Sequence, residues 1–219
     1  LASQTSGYGL AEEPGEAWAY NDFALALYYD TLTGKVFHTN GTALLEHALA
    51  QPLQFEDACS FEAFGPRDRP GRLAISVRDF ARFGLLWLHG GQWNERQLLR
   101  PDLVATALTN IVSPNLPRTR GVTADMLPGQ RSLGGTRDIT GTGPGFYSFN
   151  WWLNGTNAAG QRLYLDAPSD TFVASGHGGK RTCWIIPSLD LVVCWNDSPI
   201  SDHDDSPGNP APKSNQAAR

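Results

Sequence analysis

The chain has few charged residues and no long apolar run, and these two features argue against nucleic-acid-binding proteins and membrane-spanning proteins. Of its 219 residues only 18% are charged, and the formal net charge is −5. A weakly acidic chain whose arginines are scattered does not fit a nucleic-acid-binding protein. No apolar run approaches the roughly 20 residues that a membrane-spanning helix needs. We therefore predict neither nucleic-acid binding nor a membrane segment.

Cysteine is also scarce, which bears on disulfide and metal sites. Three cysteines do not make the disulfide framework of a small secreted domain. The histidines are spread widely, and no Cys/His cluster has zinc-ligand spacing. Residues 202–205 (D-H-D-D) carry ligand types that bind divalent cations, but the surrounding Pro- and Gly-rich tail favours a solvated acidic loop. We predict no metal and no cofactor.

Hydrophobic periodicity predicts four helices in the first part of the chain, over 21–33, 42–50, 77–89 and 101–108. The clearest is 77–89, where Ser76 is the expected N-cap. Its expected ion pairs on the helix surface involve Arg78, Asp79 and Arg82. Its expected buried face consists of Phe80, Phe83, Gly84, Trp87 and Leu88.

The second part of the chain has the alternating pattern of strands. We expect strands over 147–153, 162–166, 172–175, 181–186 and 191–195, after a long loop over 111–145. Because Trp151 and Trp152 are neighbours on a strand, their side chains should point to opposite faces. Helices followed by strands predict an α+β fold with an antiparallel sheet. We divide the chain into a mainly helical and loop region (1–145), antiparallel strands (146–196) and a polar tail (197–219).

The last two strands should form a hairpin in which Cys183 lies opposite Cys194. A two-residue loop places Pro187 across from Asp190, and counting outward gives this pairing. A disulfide between directly opposed residues would be strained, so we favour two reduced cysteines that pack as small hydrophobic side chains. Cys59 is distant in sequence and is expected to be unpaired.

A glycine-rich segment, G-H-G-G at residues 176–179, leads into this hairpin. Glycines beside a histidine allow close approach of the backbone to another group. His177 and nearby backbone N–H groups could form one wall of an active site. A glycine-rich bend with a structural histidine remains the alternative.

Four stretches, in order along the chain, match the motifs of one family. Residues 1–7 (L-A-S-Q-T-S-G) resemble an L-x-x-x-T-S-G loop, and residues 14–22 (P-G-E-A-W-A-Y-N-D) resemble a P-G-x-x-x-x-Y-x-N segment. Residues 71–84 resemble a G-x-x-x-x-S-x-x-D-x-A-R-F-G helix, and residues 176–179 resemble a K-T-G or H-x-G motif. The chain therefore resembles the serine β-lactamase and penicillin-binding-protein superfamily, in the branch of class C-like enzymes and family VIII esterases.

This resemblance implies acyl transfer through a serine on an S-x-x-K helix. It places Tyr20 as the proton-transfer partner and His177 in the third motif, beside Gly178 and Gly179. It also implies that the backbone N–H of Lys180 donates to an oxyanion. Asp22 stands where the family has asparagine, and a carboxylate cannot donate as an amide can. That departure favours an esterase or a peptidase over a β-lactamase.

The chain contains no S-x-x-K. Its lysines are Lys35, Lys180 and Lys213, and the residues three positions before them are Leu32, His177 and Pro210. We therefore expect an internal fragment of a larger hydrolase, incomplete at both ends and inactive by itself. The end of the polar tail would then be the first turn of a truncated final helix.

Two classes of function follow from these motifs. The first is part of a serine hydrolase that acts on a small-molecule or peptide-like acyl substrate, with a periplasmic or secreted location implied by the resemblance. The second is a non-catalytic binding or structural domain on the same fold. Within the first class, a true β-lactamase or DD-peptidase is the further alternative.

Overall fold

A computed structural model describes residues 1–63, 70–121, 142–176 and 179–196. The predictions for His177, for Gly178, for the D-H-D-D segment and for the tail concern residues outside these ranges. Most of the expected loop over 111–145 lies outside them as well.

All four predicted helices are present, and polar residues define where three of them begin. The side chains of Asn21, Asn40 and Ser76 accept hydrogen bonds from backbone N–H groups of the first turn. The fourth helix has proline in its first turn. The helices are α1 (Asp22–Asp30, continued by a π-helical turn at Thr31–Val36), α2 (Gly41–Leu45, continued by a π-helical turn at Glu46–Ala50), α3 (Val77–Leu88) and α4 (Pro101–Ala107).

The main sheet has five antiparallel strands that neighbour one another in chain order. The predicted α+β class is therefore confirmed. Two small antiparallel pairs precede this sheet, and the sequence pattern did not predict them. The strands are β1 (Ser60–Ala63), β2 (Pro70–Ala74), β3 (Gln92–Trp93), β4 (Arg96–Gln97), β5 (Tyr147–Ser148), β6 (Trp151–Leu153), β7 (Phe172–Gly176), β8 (Arg181–Ile186) and β9 (Leu191–Trp195).

The predicted strand over 147–153 is wrong, because the chain turns within it. Asn150 adopts a left-handed backbone conformation with φ of 65°. It reverses the chain direction, so β5 and β6 pair with each other as a tight hairpin. Asparagine is among the few residues other than glycine that tolerate this conformation.

The predicted strand over 162–166 is also wrong, and Asn154 explains why. Its buried side-chain amide donates to the carbonyls of Tyr164, Ala167 and Pro168 at 2.9–3.1 Å. Its side-chain oxygen accepts from the backbone N–H of Tyr164 at 2.8 Å. The segment therefore wraps around one side chain instead of pairing with a strand.

The hairpin of β8 and β9 confirms the predicted register, with Cys183 directly opposite Cys194. A 3₁₀ turn at Pro187–Leu189 and a left-handed Asp190 form its loop. Cys59, Cys183 and Cys194 are all free thiols. The hydrogen bond with the Cys194 thiol, together with burial, raises the pKa of Cys183 far above its usual value. The Cys183 thiol is therefore protonated at neutral pH.

The sheet separates two apolar clusters, and the adjacent tryptophans Trp151 and Trp152 enter different ones, as predicted. One cluster lies under α3 and contains Trp151, Leu153, Phe172, Cys183 and Ile185, with Phe80, Phe83, Trp87 and Leu88 of the helix packed against it. The other lies on the opposite face and contains Trp18, Val112, Phe146, Tyr147, Trp152, Leu163 and Val173.

Asp79 of α3 is fully buried, which corrects the prediction that it lies on the helix surface. Its carboxylate accepts from the backbone N–H groups of Glu56 and Asp57, each at 3.0 Å, and from the Ser76 hydroxyl at 3.0 Å. It also pairs with Arg82 at 2.8 Å. Burial alone would raise its pKa, but these hydrogen bonds outweigh that effect and lower it. Asp79 thereby fastens the loop before β1 to the start of α3.

Gly84 lets α3 lie directly on the sheet. A Cβ atom at this position would come within 2.6 Å of Val192 Cγ1 and 2.7 Å of Cys183 Sγ. These contacts are far shorter than van der Waals distance, so no larger residue fits without a shift of the helix. The glycine of the A-R-F-G motif is therefore a packing residue.

We predict that Gly84→Ala destabilises the fold by about 1–2 kcal/mol, because overpacking exceeds the roughly 1 kcal/mol that alanine gains as a helix former. Gly34→Ala is the matched control, since a Cβ there meets nothing within 4 Å. Urea unfolding of both variants measures the difference. Equal midpoints for G84A and wild type would contradict the close packing.

No helix among the described residues reaches the length and apolar character that a membrane span requires.

Candidate functional site

The loop at 1–7 and the segment at 14–22 form one structural unit, although they are separate motifs in the sequence. Gln4 joins them from a left-handed conformation with φ of 61°. Its backbone carbonyl accepts from Ala19 N–H at 3.0 Å, and its side-chain oxygen accepts from Asn21 N–H at 2.8 Å. The N–H of Gly15 donates to the Thr5 carbonyl at 2.8 Å. Hydrogen bonds from the first motif thus fix the backbone on both sides of Tyr20.

Asn21 fixes the direction in which α1 leaves this unit. Its side-chain oxygen caps the helix by accepting from the N–H groups of Phe23 and Ala24 at 3.0 and 3.2 Å. Its side-chain amide donates to the Tyr8 carbonyl at 2.8 Å. The residue is 2% exposed, so its two cap bonds are shielded from water, whereas its bond to the half-buried Tyr8 is only partly shielded. Asp22 then occupies the first turn of α1, where negative charge favours the helix dipole.

Tyr20 is half-buried among aromatic rings on the face of the sheet opposite α3. Its ring stacks on Trp152 with centroids 6.0 Å apart and planes inclined by 14°. Tyr147 meets it edge-on at 6.4 Å, and Trp18 lies 6.5 Å away. Such pairs contribute beyond the apolar area they bury. The ring of Tyr20 is therefore held by packing as well as by its backbone.

Trp18 anchors the same segment to the start of the long loop. It is fully buried and forms a parallel β-bridge with Arg118, whose guanidinium lies 5.1 Å from the centre of the Trp18 ring.

Glu12 binds the same part of the long loop. Its carboxylate accepts from the Arg120 N–H at 2.9 Å and from the Thr119 hydroxyl at 2.8 Å. These two hydrogen bonds lower the pKa of Glu12. Glu12 is thus a structural carboxylate in this fold.

The described part of the third motif is the turn between β7 and β8. Gly179 has φ of 87°, a conformation that favours glycine. Its carbonyl accepts from the Trp195 indole N–H at 2.7 Å and from the Thr182 hydroxyl at 3.1 Å. The hydroxyl of Thr182 also contacts the Ser175 hydroxyl at 3.2 Å. Lys180 follows Gly179 and precedes β8.

The resemblance noted in the sequence implies that Tyr20 and His177 face one cleft. This stays a prediction, because His177 and Gly178 lie outside the described residues. Within those residues, Tyr20 and Asp22 lie together at the start of α1, and Gly179 and Lys180 lie at the turn before β8. The same residues contain no group of three or more His, Cys, Asp or Glu side chains that could hold a metal ion.

The sequence did not reveal several residues that support Tyr20 and Gly179. Trp152 and Tyr147 pack against Tyr20. The hydrophobic strand pattern indicated that both are buried, but it did not indicate that they contact Tyr20. Thr182 and Trp195 support Gly179, and the hairpin register places them opposite each other. That register was the available signal for this pair. Gln4 occupies a variable position of its motif, and nothing in the sequence marks it.

Comparison with known proteins gives structural matches only. No family model matches the chain, and no curated protein matches it. A solved structure from Bacteroides dorei, provisionally assigned as a β-lactamase, aligns with a TM-score of 0.56 and 17% identity over 85% of this chain and 52% of that one. The chain therefore shares the fold of the part of this structure that it covers.

A second structure with this fold supports the match. It comes from Bacillus anthracis, is provisionally assigned as a 6-aminohexanoate-dimer hydrolase, and aligns with a TM-score of 0.52 and 19% identity. It covers 86% of this chain and 40% of that one. The chain therefore spans about half, or less, of the length of these two structures.

We predict that Asn21→Ala destabilises the fold by about 2 kcal/mol, since it removes a buried helix cap and also the hydrogen bond to the Tyr8 carbonyl, each of which contributes about 1 kcal/mol. Asn40→Ala is the matched control, because Asn40 caps α2 from an exposed position. Loss of that cap alone should cost about 1 kcal/mol. Urea unfolding compares the two, and a cost for N21A no larger than that for N40A would refute the joining role of Asn21.

Proposed function

We propose that the chain is part of a serine hydrolase of the β-lactamase fold, which cleaves an ester or an amide through an acyl-enzyme. One observation carries the proposal. The T-S-G loop and the Y-x-N segment form a single unit that fixes the backbone around Tyr20, although the motifs were identified separately in the sequence. The names of the two structural neighbours, a β-lactamase and a 6-aminohexanoate-dimer hydrolase, support hydrolysis as the reaction.

The nucleophile would be a serine of an S-x-x-K segment outside these 219 residues, since the printed chain contains no such motif. In this proposal the serine hydroxyl attacks the substrate carbonyl, and the bond from that carbonyl to the leaving alcohol or amine breaks. Water then hydrolyses the resulting acyl-enzyme and frees the acid and the serine. Tyr20 accepts the proton of the attacking hydroxyl. A phenol normally titrates near pH 10, so it needs a neighbouring positive charge to act as a base, and the lysine of S-x-x-K supplies it.

The third motif would stabilise the charge that develops on the carbonyl oxygen. The backbone N–H of Lys180 is one oxyanion donor, and the N–H of the nucleophilic serine is the other. His177 takes the place of the motif lysine and orients either Tyr20 or the substrate carbonyl. Gly178 and Gly179 keep side chains away from the substrate.

Asp22 decides between substrate classes in this proposal. An asparagine at its position could donate a hydrogen bond to a substrate amide, and the carboxylate of Asp22 cannot. Together with His177 in place of the motif lysine, this carboxylate leads us to favour an esterase or a peptidase over a β-lactamase. The pocket itself would be completed by the long loop after α4 and by the segment that carries the nucleophile.

A non-catalytic binding or structural domain on the same fold is the second candidate. The parent sequence separates the two candidates. An S-x-x-K upstream of residue 1 supports the hydrolase, and a parent protein without it supports the binding domain.

We predict that the chain 1–219 does not hydrolyse activated esters, because it contains no S-x-x-K nucleophile. Loss of the nucleophile from a serine hydrolase costs on the order of a millionfold in turnover. The measurement is hydrolysis of a chromogenic short-chain ester, with active-site titration by a serine-directed phosphonate. Stoichiometric titration accompanied by turnover in the purified chain would contradict the prediction.

We predict that Tyr20→Phe in the parent protein lowers kcat for the chromogenic ester by about 10²–10⁴, the usual contribution of acid–base catalysis. Tyr28→Phe is the matched control, because Tyr28 is a half-buried tyrosine of α1 outside the aromatic cluster. A chromogenic cephalosporin, assayed in parallel, should be the poorer substrate. Equal kcat for Y20F and Y28F would remove Tyr20 from the mechanism.

A further inference from the structure

Two of the three cysteines in the 219 residues lie directly opposite each other on neighbouring strands. Cys183 of β8 and Cys194 of β9 form this pair, and directly opposed residues of antiparallel strands point to the same face. A hydrogen bond joins their thiols, so the two sulfur atoms are already in contact. The next pair on this face is Ile185 and Val192, which shows that aliphatic side chains fill similar space. Two thiols are therefore not needed for packing alone.

The two thiols differ in their access to solvent. Cys183 is fully buried under α3, where a Cβ atom at Gly84 would come within 2.7 Å of its Sγ. Cys194 is half-buried. A reagent in solution therefore reaches Cys194 first, and Cys183 reacts only with a group that Cys194 already carries.

We propose that Cys183 and Cys194 are a redox modification site, at which a low-molecular-weight disulfide such as oxidised glutathione converts the two thiols into a cross-strand disulfide. The Cys194 thiolate first attacks one sulfur of the oxidant, whose S–S bond breaks and releases one thiol. The Cys183 thiolate then attacks the Cys194 sulfur of this mixed disulfide and releases the second thiol. The protein loses two electrons and two protons, and the oxidant gains both as it becomes two thiols. This site is independent of the proposed hydrolase function.

The surroundings of the pair make the second step slow and the product reversible. The hydrogen bond with Cys194, together with burial, raises the pKa of Cys183, so its reactive thiolate is scarce. Directly opposed residues place their Cβ atoms about 4.5–5.5 Å apart, whereas a disulfide prefers roughly 3.8 Å. The bond therefore forms with strain, and strained disulfides are the more easily reduced ones. The pair is thus a reversible crosslink between β8 and β9.

The test is incubation of the folded chain 1–219 with oxidised glutathione, followed by intact-mass measurement and peptide mapping. Cys59→Ser serves as the background, because it removes the only other thiol of the chain. We expect C59S to lose both remaining thiols, to become lighter by two hydrogens, and to yield a peptide with Cys183 linked to Cys194. Dithiothreitol should restore both thiols. The wild-type chain, mapped in the same way, should yield the same linked peptide.

Two further substitutions in this background separate the two steps. C183S should keep one glutathione on Cys194, because no second thiol is present to displace it. C194S should stay unmodified, because Cys183 is buried, and modification of Cys183 in this variant would overturn the order of the steps.

The proposal as a whole is overturned if both thiols of the folded C59S chain stay free, or if the reaction ends with glutathione held on Cys194. These readouts come from the C59S and wild-type chains, so they do not depend on whether C183S or C194S folds.

Discussion

The close contact between α3 and the sheet at Gly84 is the constraint on which the rest of the structure depends. With no side chain at this position, the helix rests on Cys183 and Val192, and its aromatic residues reach the cluster around Trp151. The start of the same helix binds the loop before β1 through Asp79. The strands that α3 covers are β8 and β9, which carry Thr182 and Trp195. The two side chains that bind the Gly179 carbonyl therefore extend from the strands on which α3 packs.

The aromatic cluster on the other face of the sheet holds Tyr20 in place by packing, as α3 holds the hairpin of β8 and β9. Trp152 stacks on the tyrosine ring, and Trp18 ties the preceding backbone to the strand-like segment around Arg118. Gln4 and Asn21 complete the support with buried hydrogen bonds. A phenol held this way loses little further conformational entropy when it engages another group, as the proton-transfer role proposed for Tyr20 requires.

Local signals in the sequence predicted the elements whose structure is decided locally. Helix caps such as Ser76 and the loop arithmetic that pairs Cys183 with Cys194 depend only on nearby residues. The predictions for the segment 162–166 and for Asp79 were wrong, because a single side chain or distant residues determine the structure there. The side chain of Asn154 binds the backbone of the segment that was expected to be a strand. Asp79 accepts hydrogen bonds from backbone N–H groups more than twenty positions away. The motif resemblance pointed to Tyr20 and Gly179 as candidate site residues. The contact of Trp152 with Tyr20 became visible only in the structure, and the hairpin register paired Trp195 with Thr182 without showing that both bind Gly179.

We propose that this chain supplies the tyrosine and the oxyanion turn of a serine hydrolase whose nucleophile lies outside residues 1–219. The decisive test is labelling of the parent protein with a serine-directed phosphonate, followed by peptide mapping. We expect a single labelled serine, three residues before a lysine, on a peptide upstream of residue 1. A labelled serine within 1–219, or a parent protein that the phosphonate does not label, would contradict it.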